Sequence, residues 1–199
     1  MGDVIVMNWL SLDGVMQSPG RAGEDPRDGF AHGGWAAAYS DEATVAAAQR
    51  RLMELTDGRF AWLFGRRSYE EMLAYWNAQG GPFKDGLNNI PKYVASSDPD
   101  AALRWPHSTL LHGDAPAAVA ELGRGAGPNL VIMGSGVLIG SLMAADLIDV
   151  YLLMIAPVVL GAGRRMFAGD TYAPLRLVDC EPTSTGALIT TYERGAARE

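Results

Sequence analysis

Residues 131–149 read VIMGSGVLIGSLMAADLID. An apolar run that starts at Leu130 ends at Met133 and meets the triplet Gly134-Ser135-Gly136. A second apolar run follows with helical spacing, over Val137–Ala145. The pattern is a strand, a turn of small residues and a helix. Residues 60–76, FAWLFGRRSYEEMLAYW, repeat it. Phe60–Phe64 reads as a strand and Gly65 as its exit. A short helix then runs through Trp76, for which Ser68 and Glu71 fit a capping box.

The same reading extends both ways along the chain. Val4–Leu10 is expected to be a first, buried strand. Ser40, with Asp41 and Glu42 after it, is expected to cap a helix that stops near Gly58. Lys92–Ala95 reads as a strand ending in Ser96-Ser97, and Thr109–Leu111 as another. Asp114 and Pro116 open a helix to about Leu122. Val150–Ile155 and Val158–Leu160 are strand-like. Leu175–Cys180 and Ala187–Tyr192 alternate as a closing antiparallel pair. Residues 77–91 read as loop. Residues 17–35 do too, with five glycines and two prolines, and a loop that long is a candidate lid. Strands alternating with helices define an α/β fold in three layers. The expected sheet is mixed and mainly parallel, with helices on its flanks and an antiparallel C-terminal edge. One domain is expected over residues 1–199.

Composition narrows the partners. The formal charge is −7, from 16 Lys and Arg against 23 Asp and Glu. A negative surface repels nucleic acid, so DNA and RNA are not expected. Cys180 is the single cysteine, which leaves no internal disulfide and suits a reducing compartment. The opening MGDVIVMNWLSLDG has no basic leader and no run long enough to span a bilayer. A cytoplasmic protein without membrane contact is expected. His32, His107 and His112 lack metal-ligand spacing, and no metal site is expected.

Ligands of parallel sheets gather at the carboxyl ends of the strands. Three strand exits stand out on that rule: Gly65-Arg66-Arg67-Ser68, Ser96-Ser97 and Gly134-Ser135-Gly136. Small residues before a helix let backbone N–H groups meet a phosphate. They also suit a plain tight turn. Arg66 and Arg67 offer planar forks that match phosphate oxygens. The bland alternative pairs them with Glu70, Glu71 or other acids. Cations in the first turn of a helix oppose its dipole, which a bound anion would offset. Together the three exits point to a nucleotide. The usual dinucleotide fingerprint is absent, because Ile139 stands where the third glycine belongs. Asp13, in SLDG, is the candidate for orienting a substrate or passing it a proton.

The motifs SLDG, GRRSYE, PKYVASS, VIMGSGVLIGSLMAADLID and IAPVVLGAGRRMF resemble the dihydrofolate reductase-like superfamily. The likeness is to small bacterial proteins similar to the C-terminal reductase domain of the bifunctional riboflavin-biosynthesis enzyme. It covers nearly the full length. The resemblance implies NADPH as cofactor, with Arg66 and Arg67 at the 2′-phosphate, Ser68 at the pyrophosphate and Ser96 and Ser97 beside the adenine ribose. It places Gly134, Ser135 and Gly136 under the pyrophosphate and nicotinamide, with Gly65, Leu138 and Ile139 in the same set. Trp9 and Met16 fall near the nicotinamide. It also implies a cis peptide at Gly134–Ser135 and a homodimer. Gln49 falls where dihydrofolate reductases carry a pterin-binding acid, so dihydrofolate itself is not expected. The resulting expectation is an NADPH-dependent reductase of a small planar heterocycle or carbonyl-type substrate. The alternatives are an NADP(H)-binding module without turnover and a homodimeric structural protein with a decayed site.

Overall fold

A computed structural model describes residues 2–123, 127–169 and 172–195. Eight strands form one mixed sheet in the order β4-β3-β2-β5-β1-β6-β8-β7. They are β1 Val4–Ser11, β2 Phe60–Gly65, β3 Lys92–Ser96, β4 Ser108–His112, β5 Asn129–Ile132, β6 Val150–Ala156, β7 Leu175–Pro182 and β8 Leu188–Arg194. The helices are α1 Glu42–Thr56, α2 Arg66–Gln79, α3 Pro82–Asn89, α4 Ala115–Gly123 and α5 Gly136–Ala144. β2 pairs parallel with β3 and β5, and β3 parallel with β4. β8 pairs antiparallel with β6 and with β7. Among the described residues no helix is long and apolar enough to cross a membrane.

The chain divides into two compact units. One holds the residues up to Ile5 together with Arg59–Ile148; the other holds Val6–Gly58 and the residues from Asp149 on. In the first unit, Leu63 and Phe64 of β2, Val94 of β3 and Ile132 of β5 are fully buried, with Leu73 of α2 and Ile139 and Leu142 of α5. Each such side chain contributes about 1.5–3 kcal/mol of apolar burial. Strands covered on both faces need continuous apolar runs, and that is why β2 and β5 were legible from the sequence. In the second unit, α1 buries Ala47, Ala48 and Leu52, and β6 and β8 bury Leu152, Leu153 and Ile189.

Four local expectations are corrected. Residues 82–89, read as loop, form α3: Pro82 starts it, and three backbone carbonyls at its far end accept from the Lys92 ammonium. A cap supplied from a neighbouring strand is invisible to local pattern. Val158–Leu160 is not a strand; its Val158 carbonyl accepts from Leu12 N–H, and Leu160 N–H turns to a side chain. The cap of α1 is Asp41, not Ser40, with Oδ1 accepting from Thr44 N–H at 2.8 Å. Among the described residues there is no cis peptide bond, so Gly134–Ser135 is trans.

The 17–35 segment, expected to be a lid, is braced within its own unit. Buried Gln17 donates from Nε2 to Asp25 O and Arg27 O, both at 3.0 Å, and its Oε1 accepts from Arg164 N–H. Trp35 Nε1 donates to Gln17 O at 2.8 Å, and Arg27 pairs with Asp25. Internal motion of this segment requires those bonds to break.

Candidate functional site

β3, β2 and β5 are consecutive in the sheet and parallel. Gly65 at the end of β2 stands level with Ala95 of β3. The three exits singled out from sequence therefore leave neighbouring strands, in the same direction, within one unit. In a parallel sheet that end is where ligands bind.

Two of the exits are locked together. Ser135 N–H donates to Ser68 Oγ at 2.9 Å, and Gly65 N–H donates to Ser135 Oγ at 3.0 Å. Ser135 takes the left-handed conformation, φ 57 and ψ 41, and Gly134 before it has φ 66. A serine held there costs on the order of 1 kcal/mol or more, and such strain gathers at functional sites. This left-handed pair turns the chain where a cis bond was expected. A Cβ on Gly134 would lie 3.2 Å from Ser68 Oγ, so the turn itself needs glycine. Gly65 differs. Its φ of −74 suits any residue, and a Cβ would meet Ser135 and Leu138 at ordinary contact, 3.8–3.9 Å. Among the described residues, the packing does not require glycine at 65.

Ser68 is not the helix cap that its spacing suggests. It lies inside α2, whose N-cap is Gly65, and its hydroxyl serves the neighbouring turn. Neither α2 nor α5 has a side-chain cap, whereas α1 has Asp41. Two helix N-termini thus open at adjacent strand exits with uncapped N–H groups. Each carries about half a positive charge, the arrangement that receives phosphate oxygens.

The remaining residues divide. Leu138 and Ile139 are core, 6% and 0% exposed, and only their backbone could reach a ligand. Val137, not singled out from sequence, is 79% exposed in the first turn of α5. Helical spacing could have found it, since 138, 139 and 142 form the buried face. Arg66 is held by two acids: Nε lies 3.0 Å from Glu70 Oε1 and Nη1 2.8 Å from Asp98 Oδ2. Arg67 is exposed and makes no ion pair among the described residues. Ser96 Oγ accepts from Asp98 N–H at 3.1 Å, and Ser97 is exposed. Asp98, also missed from sequence, is carried to Arg66 by that turn.

The other unit carries Asp13, Trp9 and Met16. Trp9 is half-buried on β1, and Met16 N–H donates to Arg164 O at 2.9 Å. Asp13 is saturated with donors. Oδ1 accepts from Ser11 Oγ at 2.7 Å and Leu160 N–H at 3.1 Å; Oδ2 accepts from Gly161 N–H at 3.0 Å and Arg165 Nη2 at 3.2 Å. The Ser11 hydroxyl, then the Leu160 and Gly161 amides, hold its carboxyl well below the usual carboxylate range. It stays ionised near neutral pH and clamps its loop to residues 160–165.

An eight-stranded sheet of this order, with helices after the parallel strands and an antiparallel C-terminal edge, is a dihydrofolate reductase-like fold. The chain matches the RibD C-terminal domain over residues 3–189, and it belongs to that family. Among curated proteins it is 35% identical over 105 residues to the uncharacterized protein YwjB of Bacillus subtilis (strain 168). That match covers 53% of this chain and 56% of YwjB, little more than half of the relative. Among solved structures it is similar to the diaminohydroxyphosphoribosylaminopyrimidine deaminase/5-amino-6-(5-phosphoribosylamino)uracil reductase of Thermotoga maritima. The TM-score there is 0.63 at 14% identity, over 98% of this chain and 57% of that one. It is also similar to dihydrofolate reductase from Enterococcus faecalis complexed with NADP(H), with a TM-score of 0.60 at 14% identity over 98% of both chains. At such identities the structural likeness speaks for the fold.

Proposed function

We propose that the chain is an NADPH-dependent reductase that delivers hydride to a small planar heterocycle or carbonyl-type acceptor. The observation that carries this reading is the pair of uncapped helix N-termini at the exits of β2 and β5, laced together by Ser68 and Ser135. The residues fit the cofactor. Backbone N–H groups of Arg66, Arg67 and Ser68, and of Gly136, Val137 and Leu138, would take pyrophosphate oxygens. Gly65 leaves room for that approach. Arg66 and Arg67, with Ser96 and Ser97, would hold the phosphate on the adenosine ribose. When bound, the nicotinamide supplies the hydride; the chain's part is to hold and orient it. The Enterococcus enzyme was solved with NADP(H), and the Thermotoga protein is named as a reductase of a pyrimidine. The first supports carrying this cofactor to this chain, and the second supports a uracil-like substrate.

We assign Asp13 to positioning its loop, because an ionised carboxylate with four donors has no proton to give. On that assignment Asp13 is not the proton donor, which favours one rival, an NADP(H)-binding module without turnover. NADPH consumption across a panel of pteridines, flavin precursors and quinones separates the two.

The test of the cofactor reading is titration with NADPH and NADH at two ionic strengths. The cofactors differ by one phosphate, and a charge-assisted hydrogen bond is worth roughly 1.5–3 kcal/mol, or about ten- to a hundredfold. Wild type should favour NADPH by about tenfold, less in high salt. Arg66→Ala and Arg67→Ala should each lower NADPH affinity and leave NADH nearly unchanged. Equal affinity of the wild type for both cofactors would remove the 2′-phosphate assignment.

A further inference from the structure

The exit of β3 carries acids where the proposed adenosine phosphate would need cations. Asp98 comes two residues after Ser96, and Asp100 follows. Asp98 Oδ1 accepts from Asp100 N–H at 3.0 Å, which fixes the turn. That leaves Oδ2 aimed at Arg66 Nη1, 2.8 Å away. Glu70, one helical turn along α2, takes Arg66 Nε at 3.0 Å. The guanidinium is therefore occupied from two sides. Arg66 and Arg67 together balance Glu70 and Asp98, so this corner has no surplus positive charge before a phosphate dianion arrives.

Resting on the dinucleotide reading above, we propose that Asp98 is a specificity-determining residue that competes with the 2′-phosphate for Arg66 and so restrains the preference for NADPH over NADH. The physical asymmetry lies in the ligands. A phosphate monoester brings about two negative charges close to the carboxylate, and it must either share the guanidinium with it or displace it. The ribose hydroxyl of NADH is neutral and can donate to a carboxylate oxygen. Glu70 holds the guanidinium too, but at Nε and from Arg66's own helix, whereas Asp98 takes Nη1 from the exit of β3. Both partners are nearly half exposed, 47% for Arg66 and 44% for Asp98. The competition is correspondingly modest: an exposed ion pair shifts an equilibrium by up to about fivefold. Relief of direct repulsion adds to that, and the expected gain on removing the charge is about three- to tenfold.

The experiment measures dissociation constants of NADPH and NADH by fluorescence titration for wild type, Asp98→Asn, Asp98→Ser, Arg66→Ala and the Arg66→Ala/Asp98→Asn double variant. Asp98→Ser keeps a short acceptor for the Asp100 amide, and thermal unfolding verifies that both Asp98 variants fold. NADPH should bind about three- to tenfold more tightly to the Asp98 variants, with NADH unchanged or weaker. Most of the gain should vanish without Arg66, and it should shrink at high salt. An unchanged NADPH to NADH ratio, or a gain undiminished in the Arg66→Ala background, overturns the role of Asp98 while leaving the cofactor site standing. Failure of every form to bind either cofactor overturns the dinucleotide reading and this inference together.

Discussion

Gly65→Asp should bind NADPH at least about a hundredfold more weakly than wild type and yet melt no lower. The two halves of that result have separate causes. Gly65 is the N-cap of α2, in the extended conformation that N-caps adopt, and α2 lacks a side-chain cap. A Cβ there meets its neighbours at ordinary contact. An aspartate should therefore cap the helix and complement its dipole, adding up to about 1 kcal/mol of stability. The same carboxylate occupies the N–H groups proposed for the pyrophosphate and places like charge against it, which costs several kcal/mol. Calorimetric titration and thermal unfolding of one preparation measure both. If glycine at 65 served folding alone, the variant would lose stability and keep its affinity.

Lys92→Met should destabilise the protein by about 2–4 kcal/mol. Lys92 is fully buried at the start of β3, and its ammonium donates to Leu87 O at 2.6 Å, Ile90 O at 2.7 Å and Asn88 O at 3.3 Å. Removal leaves the end of α3 with acceptors that no longer have this donor. Burial pushes the ammonium down to about 8 from its ordinary 10.5. Between those values the unfolded chain binds the proton that the folded one has released, so stability rises with pH. Wild type should gain up to about 3 kcal/mol relative to Lys92→Met from pH 8 to pH 10.5. Below pH 8 both states are protonated and the difference between the two proteins should be flat. Urea unfolding of both proteins across that range measures it. Parallel curves would show that Lys92 does not titrate there.

The parts legible in the sequence are those that apolar pattern encodes directly. β2 and β5 are runs with both faces covered, and α5 carries Leu138, Ile139 and Leu142 at helical spacing. The three exits were legible because glycine and serine at a strand end have few uses, and the sheet order β3-β2-β5 then set them side by side. What stayed hidden depends on partners far along the chain. α3 buries only Leu87 and is held by a lysine that pattern reads as a strand residue. Ser68 has the spacing of a cap, but residue 135 claims its hydroxyl. Asp98 becomes a partner of Arg66 only because β3 lies beside β2. Asp13 reads from sequence as a free carboxylate, and only the fold brings Leu160, Gly161 and Arg165 to it.

The most direct measurement of the central claim is a residue-by-residue amide map of the protein, by two-dimensional nitrogen–proton NMR, as NADPH is added to saturation. The largest shifts should fall on residues 66–68 and 135–138, with a second set at 96–98 that weakens when NADH replaces NADPH. Saturable binding with those amides unmoved, and the shifts gathered elsewhere, such as the groove lined by Arg50, Arg51 and Glu181, would contradict it.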